Sequence, residues 1–239
     1  MALAIATNNA ALNAAASASS VNRDMETSMA RLSSGKRINS ASDDAAGVAI
    51  SSRLSAEIRG TDQAIRNSLD GQALIDTAEG AHKEIENILQ RMREVTIQAA
   101  NDTNNAQDRA NLQAEIEAMT TEIDRIAGTT TWAGADLMED ATTTFSFQVG
   151  AATGTQNQIA VTIKTMNATG LAVGTGSVST IDVETSGATA NAGTALIDAA
   201  IEDVNIQRSE LGAVSNRLNH TVNNLTNISS NLSAAKGGI

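Results

Sequence analysis

The sequence predicts a mostly α-helical protein, a long antiparallel helical bundle or coiled coil with a small β-hairpin region. Three observations carry that expectation. Proline is absent from all 239 residues, aliphatic residues recur at heptad spacing in three long stretches, and one short stretch alternates with period two. Proline is the strongest helix breaker, so its absence leaves long helices uninterrupted. Trp132, Phe145 and Phe147 are the only aromatic residues. A rounded core is usually anchored by aromatics, whereas Ala, Leu, Ile and Val suit extended helix pairs.

Residues 1–34 are Ala-rich, with a thin apolar stripe of Ala18, Met25, Met29 and Leu32, and Ser33-Ser34-Gly35 ends the helix. An isolated helix of this kind is marginal in water. Residues 35–43 form a linker whose Ser40-to-Asp43 spacing is that of a capping box. Asp43 and Asp44 suit the positive end of the helix that follows. That helix belongs to a segment spanning 44–128 and is expected to run through Gly60, since an isolated glycine costs only about 1 kcal/mol.

Its apolar row reads Leu74, Ala78, Ala81, Ile85, Ile88, Met92, Val95, Ala99, in alternating steps of four and three. After a polar turn at Asn101–Asn105 the pattern resumes as Leu112, Ile116, Met119, Ile123, Ile126. Within 129–192, Phe145, Phe147 and Val149 alternate, as do Ile159, Val161 and Ile163, with Gly150 and Gly154 between them. This predicts a β-hairpin. Asn167 to Asn191 reads as a surface loop with at most a short strand around Ile181 and Val183.

The last segment, 193–239, carries Ile197, Val204, Leu211, Leu218, Leu225 and Leu232 at one heptad position. A helix from Thr194 to Lys236 would be about 65 Å long. Such repeats drive helix-on-helix packing, and each buried Leu or Ile contributes roughly 1.5–3 kcal/mol.

The formal net charge of −11 argues against nucleic acid, whose affinity rests on basic residues, and against anionic membrane surfaces. Without cysteine there is no disulfide, thiolate metal site or thiol nucleophile. No stretch reaches the roughly 18 apolar residues of a membrane span. Met1 to Ser20 lacks a basic leading region, and Asn8, Asn9 and Asn13 interrupt it, so no cleaved signal peptide is expected. His82 and His220 are read as residues on solvated helix faces, far apart and without a metal-binding partner. Capping accounts for Asp43 and Asp44 better than catalysis does. No enzyme and no cofactor are expected.

Several segments resemble bacterial flagellins: RLSSGKRINSASDDAAGVAI at 31–50, SLDGQALIDTAEGA at 68–81 and LQRMREVTIQAAND at 89–102. LQAEIEAMTTEIDRIAG at 112–128 and RSELGAVSNRLNHTVNNLTNISSNL at 208–232 continue the match in the family's order. The resemblance implies a core domain of two N-terminal helices and one C-terminal helix with a hairpin beside it. It also implies an inner-domain helix before Ser33 and a spoke at Gly35 to Ser42. The short 129–192 segment leaves no room for the variable outer domains.

The implied function is a structural subunit of the flagellar filament, self-assembling outside the cell after export by the flagellar apparatus without a signal peptide. The family's innate-immune Toll-like receptor site carries over to Arg91, Val95 and Glu115, with Val where receptor-active members have Leu. Other members continue past Leu232 into a terminal inner-domain helix, where their export chaperone binds, so no chaperone site is expected here. A truncated core acting as a soluble receptor ligand and a hook–filament junction protein remain as alternatives.

Overall fold

The computed structural model describes residues 8–139, 142–171 and 176–239; the expectations for Met1–Thr7 lie outside them. Helix α1, Asn9–Ser34, opens on Asn8, whose side chain accepts from the amides of Ala10 and Ala11. It closes on Gly35 in the left-handed conformation, at φ 65°, where glycine carries no Cβ penalty. None of its residues is buried.

Helix α2, Ala45–Ala99, runs 55 residues without a break at Gly60. The acidic pair before it divides the capping work. Asp43 accepts from the amides of Asn39 and Ser40, tying the linker turn, while Asp44 accepts from Gly47 at 2.9 Å and caps α2 itself. Helix α3, Ala106–Thr129, starts with a complete capping box between Asn105 and Asp108, which satisfies donors that the first turn cannot.

A small hairpin that the sequence did not reveal follows, β1 (Thr131–Trp132) and β2 (Ala135–Asp136). Ala133 and Gly134 both take positive φ at its turn, as a two-residue hairpin loop requires. The expected hairpin is β3 (Thr143–Gln148) with β4 (Gln158–Ile163), antiparallel, pairing Phe145 with Val161 and Phe147 with Ile159. Helix α4, Gly187–Gly237, begins seven residues before Thr194. Ser186 and Thr189 explain the earlier start, since each side chain accepts from the other's amide.

The described residues fall into two units. One lies within 60–228; the other lies within 8–59 and 229–239. In the smaller unit the Arg37 side chain donates to the Ile239 carbonyl at 3.0 Å. In the larger unit α2 and α4 are antiparallel: Thr194 meets Thr96, Asp198 meets Arg93, and Arg208 meets Glu79. Gly71 leaves room for Phe147 and Leu218 to pack closely on α2. A Cβ there would lie 3.2 Å from the Phe147 ring and 3.4 Å from Leu218.

The seam residues sort clearly. Ile85, Met92, Ile116, Ile123, Leu211, Leu218 and Leu225 are buried. Ile88 and Leu112 are only partly buried, though packed on the core. Leu232 is partly exposed.

The row on α2 needs a correction. Where Ala81 and Ile88 were expected, only partly buried here, His82 and Leu89 are buried, and Ile75 and Thr96 are buried on the same row. Leu74 and Val95 are buried as well, because α2 packs against α3 on one side and α4 on the other. A face wider than one coiled-coil seam is covered.

The stretch 167–191 also differs from the expected surface loop. Ala168, Leu171, Val178, Ile181 and Val183 are buried. Side chains of α3 supply the hydrogen bonds that a sheet partner would otherwise give: Asp124 accepts from the Ala168 amide, and Gln113 accepts from Val183 and donates to Ile181. Buried backbone groups need such partners, and no period in the sequence announces them.

Candidate functional site

Of the three residues carried over as a recognition site, two come together and one is set apart. Arg91, on α2, donates to Glu115 on α3 from Nη2 at 2.8 Å and from Nε at 3.1 Å, and to Glu94 from Nη1 at 2.9 Å. The hydrogen bonds to Glu115 and then Glu94 hold the Arg91 guanidinium above its usual pKa. All three side chains remain largely solvated. Val95, one turn along α2, is fully buried and offers no surface to a partner.

His82 is also corrected. It is fully buried rather than solvated, and neither ring nitrogen has a hydrogen-bond partner. Burial lowers its pKa to about 4; Glu79 opposes the shift and Arg208 adds to it. The level is shared with Gln207, buried on α4, whose Nε2 donates to the Thr162 carbonyl at 2.9 Å. Arg208, next in sequence, bridges Glu79 and Glu86, which flank His82 along α2. In sequence His82 stands seven residues after Ile75 and seven before Leu89, a spacing that the neighbouring row through Ala81 shares.

Among the described residues no cluster of His, Cys, Asp or Glu is arranged to hold a metal ion, and no helix is long and apolar enough to cross a membrane. A groove between α2 and the β3–β4 hairpin is lined by Gly60, Gln63, Asn67, Gln148 and Gly154. Asn67 donates across it to the Gln148 carbonyl at 2.9 Å. The groove is walled by amides and small residues, with no acid or base.

What remains most distinctive is an apolar row on α1 that no described residue buries. Val21, Met25, Met29 and Leu32 share one face of α1 and are all more than half exposed, at 57–81%; Leu12, 60% exposed, lies on another face. Long heptad helices, a packed hairpin and an uncovered apolar helix define a structural protein of the helical, self-packing class.

The bacterial flagellin N-terminal helical region matches residues 5–143, and the bacterial flagellin C-terminal helical region matches residues 194–239. A flagellin of Halalkalibacterium halodurans is 44% identical over 214 residues, covering 90% of this chain and 76% of that protein. The crystal structure of Bacillus cereus flagellin superposes with TM-score 0.56 at 34% identity, over 72% of this chain and 94% of that one. A putative flagellar hook-associated protein from Vibrio parahaemolyticus superposes at TM-score 0.71 with 16% identity, over 84% and 100% respectively; that likeness is one of fold. The chain belongs to the bacterial flagellin family. It is a structural subunit of the flagellar filament, outside the cell.

Proposed function

We propose that the subunit joins the filament by laying the α1 stripe against helices of neighbouring copies, with no enzymatic step involved. The observation that carries this is the stripe itself, four large apolar side chains (Val21, Met25, Met29 and Leu32) on one face of a helix with no buried residue. An exposed contiguous apolar face marks an interaction surface, and heptad spacing selects another helix as its occupant. In this reading 1–34 is the inner-domain helix, 35–43 the spoke, and 44–128 with 193–239 the core. Export proceeds through the flagellar apparatus without a cleaved signal peptide.

Salting-out followed by sedimentation and negative-stain microscopy tests the assembly. Long filaments from the wild type, and monomers from Val21→Asp/Leu32→Asp, are expected. Monomers of the wild type under every condition would sink the reading.

A second reading concerns the Toll-like receptor. The solvated Arg91–Glu115 pair, joining two helices at one level, offers a cation and an anion on one exposed face. A receptor reporter assay comparing the wild type with Arg91→Ala tests it. An unchanged response would remove the site.

A further inference from the structure

The chain holds seven methionines and no cysteine. Cysteine thiolates head the ladder of oxidisable side chains; without them, exposed thioethers become the groups most open to two-electron oxidants. The described methionines divide sharply by access. Met92, Met138 and Met166 are at most 1% exposed, whereas Met25 and Met29 are 57% and 62% exposed. Met119 is intermediate and packed against the core. Both exposed thioethers lie on α1, four residues apart, and therefore on one helix face. That face is the apolar stripe.

We infer that Met25 and Met29 form an oxidation site that controls whether the subunit can assemble. The co-reactant is a peroxide, present outside the cell wherever oxidants are released. The thioether sulfur attacks one peroxide oxygen, the O–O bond breaks, and the products are the sulfoxide and water. Sulfur is oxidised by two electrons and the peroxide is reduced by two.

The sulfoxide is strongly polar, so a neighbouring helix that covers the stripe would have to bury an added hydrogen-bond acceptor. Oxidation of the free subunit thus removes the apolar character that docking requires. Leucine at these positions keeps the stripe apolar but cannot be oxidised. The inference rests on the proposed assembly through α1.

The test begins with unassembled protein treated with dilute hydrogen peroxide and mapped by mass spectrometry. Sulfoxide is expected at Met25 and Met29 well before Met92, Met138 and Met166. The oxidised protein should then need roughly tenfold more protein to form filaments on salting-out, the scale expected for burying one unpaired polar group. Methionine sulfoxide reductase should restore assembly. Met25→Leu/Met29→Leu should assemble equally well before and after peroxide.

Uniform oxidation of all methionines, or filaments from oxidised and untreated protein at the same concentration, would overturn the inference alone. Loss of assembly in the peroxide-treated double leucine variant would also overturn it. If untreated wild type forms no filaments, the assembly reading fails and carries this inference with it.

Discussion

Arg208 of α4 is clamped against Glu86 of α2, and the same guanidinium holds Glu79 at 3.1 Å. The two carboxylates stand seven residues apart, two turns of α2, so one arginine spans both and sets the longitudinal register of the helix pair. Its side chain is 28% exposed and that of Glu86 only 17%. Such a pair is shielded from solvent more than an ordinary surface ion pair.

Removing that guanidinium leaves the Glu86 carboxylate, mostly shielded from solvent, and the more exposed Glu79 without their shared partner. Arg208→Met should therefore destabilise the protein by roughly 1.5–3 kcal/mol, the range for hydrogen bonds to charged groups. Glu79→Gln, at the more exposed end, should have a smaller effect. Urea denaturation followed by circular dichroism measures both, and equal losses would contradict the ranking.

His82 makes stability depend on pH. Its pKa is lowered from 6.5 to about 4 in the folded chain, so between those values the unfolded state binds more protons. Stability is complete above the unfolded value and is lost as pH falls through the window towards 4. The full effect is roughly 3 kcal/mol. Thermal melts from about pH 8 down to about pH 4 should show the wild type losing more stability than His82→Leu. Parallel curves for the two proteins would contradict the assignment.

Within one heptad row, burial decides which leucines matter. Leu218 is fully buried, packed near Gly71 and the Phe147 ring, whereas Leu232 is partly exposed. Leu218→Ala should lose roughly 2–5 kcal/mol through lost transfer energy and a residual cavity. Leu232→Ala should change stability by less than about 1 kcal/mol. Denaturant midpoints of the two variants test the contrast.

The Arg91–Glu115 pair is a different case, because both side chains are solvated. Exposed pairs contribute little to folding. Arg91→Ala should leave the thermal midpoint and the helical spectrum unchanged. A large drop in the midpoint would mean that the pair holds the helices together, and a weakened receptor response could then reflect misfolding.

Much of this architecture was legible in the sequence. The absence of proline, the rows through Ile85, Met92, Ile116, Ile123 and Leu211, and the alternation of Phe145 with Phe147 determined the helices and the main hairpin. Gly35 and Asn105 marked helix ends through their own local chemistry, which needs no distant partner. The tertiary structure decided the rest.

A heptad row locates a helix face to within about one residue, so it could not choose between Ala81 and His82, or between Ile88 and Leu89. That choice depended on where α3 and α4 lie around α2, and it placed a histidine in the core where an aliphatic row had been expected. The burial of Ala168 and Val183 was hidden for a related reason: their amides are satisfied by Asp124 and Gln113, side chains more than forty residues away. Local pattern reports what a segment can form by itself. Which polar groups are covered is settled only when the segments meet.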